Sequence, residues 1–247
     1  MRIVSFAVCL AVVPAATATA AAPIAWQGPV DATGSASDFL TAGSLFDSAT
    51  AGVGVTVGGV TFRGKLPDTG AGDLHFAGSG ITVTGARSTF TSIYSAPVFG
   101  DAAYDTLVGG AAIFDTPFAG VAIELTGLTV GRRYAVQLFQ PFWNRNWATN
   151  YSAGATSGNV NATGPDVGAG TSSVPQYLIG TFRATAGTQT ITPSSPTAIV
   201  LFDAMQVREL TPADEAEAAD HQAPRGGFGL VGAALRRRQV TIPLETI

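Results

Sequence analysis

The chain is poor in charge, in histidine and in cysteine. Of its 247 residues only 12% are charged and the net charge is −4, whereas an average soluble domain has roughly 25% charged residues. Apart from the arginines of residues 236–238 there is no basic patch, so the sequence argues against a nucleic-acid partner. His75 is the only histidine or cysteine between residues 24 and 210, because Cys9 precedes this region and His221 follows it, so a zinc site with three or four nitrogen and sulfur ligands is excluded there.

The first 20 residues have the pattern of a secretory signal peptide. Arg2 provides a positive start, residues 3–13 form an apolar run, and the Ala-Thr-Ala of residues 18–20 suits a signal peptidase. The apolar run is about eleven residues long, too short for a membrane span of about 20. We therefore expect residues 1–20 to contact the export machinery and to be removed. The mature chain would then lack Cys9, and with it any disulfide or thiol nucleophile.

What the chain has is glycine and short alternating segments. Residues 132–140 alternate so that Tyr134, Val136 and Leu138 share one face, which predicts a strand buried on one side. Two β-branched runs separated by Gly58-Gly59 predict a hairpin, because glycine readily adopts the positive φ of a tight turn.

Similar patterns predict further strands at residues 24–29, 74–76, 81–84, 89–94, 107–114, 121–126, 176–184, 188–192 and 197–209. No segment between residues 70 and 200 shows helical periodicity. Residues 152–173 have few large apolar side chains and predict a binding loop or a disordered segment. The whole pattern predicts one all-β domain, a β-sandwich or jelly roll, over residues 24–210.

Several short motifs follow one another in an order that is informative. They are Trp26, the hairpin ending at Phe62, Tyr104-Asp105-Thr106-Leu107, residues 125–134, Gln137-Leu138-Phe139, Gly180-Thr181-Phe182 and residues 204–208. In this order they resemble a jelly-roll domain of exported bacterial surface proteins, which often carry a PEP-CTERM sorting tail. The resemblance implies an extracellular sandwich similar to galactose-binding-like and carbohydrate-binding modules, and it assigns no functional residues.

The C-terminal tail, residues 211–247, also resembles a PEP-CTERM tail, but only in part. Residues 226–238 combine a glycine-rich apolar run with a basic cluster, as the end of such a tail does. The Pro-Glu-Pro motif is missing, the acidic residues 214–221 stand in its place, and the apolar run is too short to span a membrane. Three interpretations stay open: a sorting signal that has decayed, a reading-frame change, or a solvated charged tail.

The candidate binding site is the aromatic and polar segment that follows the strand predicted at residues 132–140. Two of the three tryptophans of the chain lie there among amides and an arginine. An indole face can cover the apolar face of a sugar, while amide and guanidinium groups bind its hydroxyls. The hypothesis therefore assigns ligand binding to Trp143, Asn144, Arg145, Asn146, Trp147 and Tyr151. The competing interpretation is that one or both indole rings cap the core.

No catalytic residue can be assigned from the sequence. His75, between Leu74 and Phe76, is typical of a structural strand residue, and no Gly-x-Ser-x-Gly motif accompanies it. The pairs Asp68/Asp73 and Asp101/Asp105 suit turns, and they equally suit a structural calcium ion, whereas no other cofactor is expected. We expect a non-catalytic surface or matrix protein, exported to the cell surface or beyond, whose candidate partner is an extracellular polysaccharide. The alternatives are a purely structural surface protein and a secreted glycan-active hydrolase.

Overall fold

The computed structural model describes residues 21–66, 72–86, 88–90, 99–115, 121–140, 148–154, 156–161, 175–195 and 199–214. The predictions of a signal peptide and of a sorting tail concern residues outside these ranges, apart from residues 211–214. The strands are β1 (Ala25–Asp31), β2 (Ser44–Thr50), β3 (Val55–Val57), β4 (Val60–Gly64), β5 (Gly72–His75), β6 (Ile81–Ala86), β7 (Ser88–Phe90), β8 (Ala111–Asp115), β9 (Ala122–Thr126), β10 (Arg133–Gln140), β11 (Ala148–Ala153), β12 (Thr156–Asn161), β13 (Gln176–Arg183), β14 (Thr188–Ser194), β15 (Ile199–Phe202) and β16 (Ala204–Leu210). A 3₁₀ helix (Ala36–Asp38) and the α-helix α1 (Ala102–Gly109) complete these elements.

The strands form three sheets. The large sheet has the order β1-β13-β10-β16-β2-β4-β3, the second sheet β12-β11-β14-β9-β6-β5, and the third sheet β15-β8-β7. Neighbouring strands are antiparallel, except that β2 and β4 pair in parallel. The central position of β10 in the large sheet agrees with its apolar sequence.

An inner core joins the large sheet to the second sheet. Tyr134, Val136 and Leu138 of β10 contribute to it from the large sheet, and Ile123 of β9 and Ile191 of β14 contribute from the second sheet. All five side chains are 0–1% exposed. Apolar faces of two sheets that bury one another in this way make a β-sandwich. The prediction of an all-β sandwich is therefore confirmed.

The prediction that β10 is buried on one side only is wrong. The other face of the strand, with Ala135 and Phe139, belongs to an outer core that also contains Phe39, Phe62 and Tyr104. Phe39 and Phe139 lie 5.3 Å apart between ring centroids, and Phe39 and Tyr104 lie 5.4 Å apart. Because α1 and the segment before β2 cover this face, both sides of β10 are shielded from water.

Gln137 explains why the alternating sequence of β10 wrongly predicted a solvated face. Its amide lies on the outer face and is 0% exposed, so a residue that predicts a solvated face is buried. Its Oε1 accepts from the backbone N–H of Leu40 at 3.1 Å, and its Nε2 donates to the carbonyl oxygen of Asp38 at 2.6 Å. A buried amide that keeps its hydrogen bonds costs little free energy. Gln137 thus holds the segment before β2 against the large sheet through hydrogen bonds.

A helix replaces the first part of the strand predicted at residues 107–114. Helix α1 begins after Asp101, whose carboxylate accepts hydrogen bonds from the N–H groups of Ala103 and Tyr104, both at 2.9 Å. Aspartate at this position satisfies the first free N–H groups of a helix. With eight residues, α1 is too short to produce a clear helical period in the sequence. No helix in the described ranges is long and apolar enough to cross a membrane.

Other local predictions are confirmed. The hairpin of β3 and β4 turns at Gly58 and Gly59, with φ angles of 59° and 77°. The strands predicted at residues 74–76, 81–84, 176–184 and 188–192 correspond to β5, β6, β13 and β14. Of the strand predicted at 89–94 only β7 is described. The interpretation of residues 152–173 as a loop is wrong at its start, where β11 and β12 form a hairpin, and residues 162–174 lie outside the described ranges.

The strand predicted at residues 197–209 is broken at Asp203. The part before it, β15, pairs with β8 in the third sheet, whereas the part after it, β16, pairs with β10 and β2 in the large sheet. Asp203 therefore stands where the chain passes from one sheet to another. Its carbonyl oxygen accepts a hydrogen bond from Ala51 N–H at 2.7 Å, which ties the break to the end of β2.

Candidate functional site

The tryptophan segment joins two neighbouring strands. Residues 141–147 connect the end of β10 in the large sheet to the start of β11 in the second sheet. Five of the six predicted binding residues belong to this segment, and they lie outside the described ranges: Trp143, Asn144, Arg145, Asn146 and Trp147. Their assignment stays a prediction. What the structure describes is the base from which the segment leaves and to which it returns.

At this base, buried polar side chains form hydrogen bonds between β10 and β11. Gln140, the last residue of β10, is 1% exposed, and Thr149 of β11 is 0% exposed. The Nε2 group of Gln140 donates to Oγ1 of Thr149 at 3.2 Å, and its Oε1 accepts from the Tyr151 hydroxyl at 3.4 Å. These hydrogen bonds link the large sheet to the second sheet at the end of β10 and the start of β11. The two ends of the segment are therefore held at a fixed separation.

Tyr151, the sixth predicted binding residue, lies inside the base. Its side chain is 0% exposed and forms part of the inner core. Burial, and secondly the negative charge of Asp203, raises the pKa of the phenol, so the hydroxyl stays protonated and can donate to Gln140. A ring in this position offers no surface to a sugar. In the structure its ring fills the inner core and its hydroxyl donates to Gln140.

Asp203 is a functional candidate that the sequence reasoning missed. Its side chain is 0% exposed, and neither carboxylate oxygen has a hydrogen-bond partner. Burial raises the pKa of this carboxyl well above its usual value. Phe139 pairs with Ala204 across β10 and β16, so the residues next to them, Gln140 and Asp203, lie at the same end of the large sheet.

Two glycines, which have no side chains, lie close to each other beside Asp203. Gly52 and Gly110 pass so close that a Cβ atom on Gly110 would lie 2.6 Å from Cα of Gly52 and 3.6 Å from Oδ1 of Asp203. The negative charge of Asp203 also contributes to the raised pKa of Tyr104 and Tyr151, although burial is the larger cause for both. An acidic residue within the apolar run of residues 199–207 was the signal that could have revealed a special position.

No family model matches the chain, and no curated protein or solved structure is significantly similar to it. Its function therefore has to be argued from its own residues.

The aspartates proposed for turns or for calcium have structural partners. Asp101 caps α1, and Asp105 accepts from the N–H groups of Phe99 at 2.8 Å and Gly100 at 3.1 Å. Asp73 accepts from Gly85 N–H at 3.1 Å, while Asp68 lies outside the described ranges. In the part of the chain that the structure describes, no three residues among His, Cys, Asp and Glu are grouped so as to hold a metal ion.

Proposed function

We propose that the chain is a non-catalytic exported protein of the cell surface or extracellular matrix that binds carbohydrate through residues 143–147. The observation that carries this proposal is the hydrogen-bonded base formed by Gln140, Thr149 and Tyr151. Between the two strand ends joined at this base, the sequence has a segment with two tryptophans, and loops held by a rigid scaffold commonly carry binding residues. A fixed base reduces the conformational entropy that a binding segment loses when it takes up its ligand.

The residue types of the segment suit an extracellular polysaccharide. The indole faces of Trp143 and Trp147 can cover the C–H faces of neighbouring sugar rings. The amides of Asn144 and Asn146 offer both donors and acceptors to hydroxyl groups, and the guanidinium of Arg145 offers five donors. A site of this kind recognises the shape of a sugar and the arrangement of its hydroxyl groups, and it requires no catalytic group.

Replacing Trp143 or Trp147 with alanine is expected to weaken polysaccharide binding by at least about tenfold, which is about 1.4 kcal/mol of binding free energy. Because an exposed ring stabilises the fold little, the free energy of unfolding should change by no more than about 0.5 kcal/mol. A glycan array identifies the ligand, and titration of the variants together with thermal unfolding measures both effects.

The third tryptophan provides the control. Trp26 of β1 is half-buried against the inner core, so Trp26→Phe should lower the melting temperature and leave the affinity of the folded protein unchanged. If Trp143→Ala and Trp147→Ala instead cost about 3–5 kcal/mol of stability, the rings cap the core, and the site is lost. An array without any bound glycan would favour a purely structural surface protein, and release of reducing sugar would favour the hydrolase.

Export is the second element of the proposal, and the packing of the residues after Ala20 supports it. Ala22 and Ile24 are buried. The N–H of Ala22 donates to Oε1 of Gln189 at 3.0 Å, and Nε2 of Gln189 donates back to the Ala22 carbonyl at 3.0 Å. A cut between Ala20 and Ala21 would therefore preserve every one of these contacts.

N-terminal sequencing of the secreted protein is expected to begin at Ala21. In an Ala20→Arg variant a large charged residue replaces the small residue before the cut, so residues 1–20 should be retained. Secreted wild-type protein that still begins at Met1 would contradict the export hypothesis.

A further inference from the structure

A cleft of about 530 Å³ opens at the start of β10, at the end of the strand opposite to Gln140. Its volume is in the range of about 300–1,000 Å³ that is typical of small-molecule sites. Residues before and within β1, the first residue of β10 and the end of β13 line it. They include two arginines and two threonines, namely Arg133, Arg183, Thr181 and Thr185, beside the apolar Ala22, Ile24 and Phe182.

The two arginines are placed directly opposite each other. Arg133 of β10 and Arg183 of β13 form a cross-strand pair in the antiparallel register, so both side chains project from the same face of the large sheet. Like charges in directly opposed positions repel each other and destabilise a sheet. An anion bound between them would convert this repulsion into attraction.

The orientation of Arg183 is compatible with such a role. One of its terminal nitrogens donates to the carbonyl oxygen of Gly131 at 2.8 Å, and its side chain is exposed. A guanidinium has five N–H donors, so this hydrogen bond fixes the group and leaves others for a ligand. Arg133, which is half-buried, stands beside it in the wall of the same cleft.

We propose that this cleft binds the carboxylate of a uronic acid residue in an acidic polysaccharide. Guanidinium groups bind carboxylates through paired, charge-assisted hydrogen bonds. The hydroxyls of Thr181 and Thr185, which line the same cleft, are suited to the sugar hydroxyls. That the ligand is a polysaccharide rests on the proposed function, whereas the preference for an anion rests on the arginine pair alone.

The cleft lies at the opposite end of β10 from Gln140, the residue after which the tryptophan segment begins. Eight residues of β10 extend from Arg133 to Gln140, and at a rise of about 3.3 Å per residue they place the two ends roughly 23 Å apart. A single polysaccharide chain that reaches both would pass along the sandwich. The two sites can nevertheless be tested independently, because their residues do not overlap.

The test is a titration of the mature protein with polygalacturonate, with neutral dextran and with inorganic phosphate. We expect polygalacturonate to bind, and we expect Arg133→Gln and Arg183→Gln each to weaken its binding at least tenfold. Arg132→Gln is the matched control, because it removes the same charge from the adjacent residue, which does not line the cleft and whose Nε lies 3.5 Å from Glu209. Thermal unfolding of each variant confirms that it is folded.

The proposal is overturned if polygalacturonate does not bind, if neither cleft variant weakens its binding, or if Arg132→Gln weakens it equally, which would indicate general charge attraction. Binding of phosphate alone, lost in the same two variants, would overturn the assignment to a uronic acid in favour of a free oxyanion. If Trp143→Ala changes no glycan binding while the arginine variants do, the tryptophan hypothesis fails and the cleft proposal stands.

Discussion

Asp203→Asn is expected to make the protein more stable than the wild type at pH 7, and its effect on stability should be more favourable at pH 7 than at pH 4. The carboxyl of Asp203 is buried without a hydrogen-bond partner and its pKa is raised, whereas an unfolded aspartate titrates near a pKa of about 3.9. Between pH 4 and the higher pKa of the folded state, the folded protein holds a proton that the unfolded chain has lost. The contribution of Asp203 to stability is therefore most favourable below pH 4 and falls as the pH rises toward the folded-state pKa, by at most about 1.4 kcal/mol per pH unit.

Asparagine does not titrate, so the advantage of the variant should grow steadily with pH. Chemical denaturation of the wild type and the variant at several pH values between 4 and 7 measures this difference directly. A variant that is less stable than the wild type at pH 7 would contradict the prediction, since it would mean that a bound partner compensates the carboxylate.

Asp47 supplies the matched control. It is 5% exposed, but its carboxylate forms an ion pair with Arg63 and accepts hydrogen bonds from Ser79 Oγ at 2.8 Å and Gly80 N–H at 2.6 Å. Asp47→Asn removes a charge that has partners, so it is expected to destabilise the fold at pH 7. Two aspartates of similar burial should thus respond with opposite signs to the same substitution.

Gly180→Ala is expected to destabilise the protein by about 1–3 kcal/mol, the usual cost of inserting a methyl group into a packed core. Gly180 lies in the middle of β13, opposite Trp26 of β1. A Cβ atom there would lie 2.6 Å from Cε3 of Trp26 and would also collide with the side chain of Ile24. Since real Cβ atoms do not approach so closely, the indole ring would have to move.

Denaturation monitored by tryptophan fluorescence measures both the loss of stability and the displacement of Trp26. Gly187→Ala is the control, because a Cβ atom at that exposed bend would meet the carbonyl oxygen of Leu128 at an ordinary 3.7 Å. Its effect should stay within about 0.5 kcal/mol. Equal effects of the two substitutions would show that the packing of Trp26 over Gly180 is not what makes Gly180 necessary.

The sequence predicted the elements of the fold where the pattern depends on the local chain. The Gly58-Gly59 turn and the strands β13 and β14 are of this kind, because positive φ and period-two alternation are properties of neighbouring residues. Burial on both sides of β10 could not be predicted in the same way. It depends on Phe39 and Tyr104, which are distant in sequence, and on Gln137, whose polarity suggests water although its amide is satisfied inside the protein.

The candidate site was predicted to the same partial extent. The composition of residues 143–147 suggested a sugar-binding surface, but nothing in the sequence indicated that Tyr151 is buried in the inner core. Asp203 was hidden for the opposite reason, since a charged residue within an apolar run is easily included in one continuous strand. Only the pairing of β15 and β16 with different sheets shows that the chain changes direction there. The cross-strand position of Arg133 and Arg183 likewise exists only in the folded register.

The strand order also determines when the large sheet can form during folding. β16 is the last strand in the described part of the chain, yet it lies between β10 and β2, and β1 at the edge pairs with β13 far along the sequence. Residues 204–210 form β16, which pairs with β10 on one side and with β2 on the other. Until they are in place, the group β1, β13 and β10 cannot join the group β2, β4 and β3. Closing such distant pairs is slow because the chain must first lose the entropy of long loops. The large sheet therefore cannot be completed until residues 204–210 are available, so its strand order delays its formation almost to the end of the described chain.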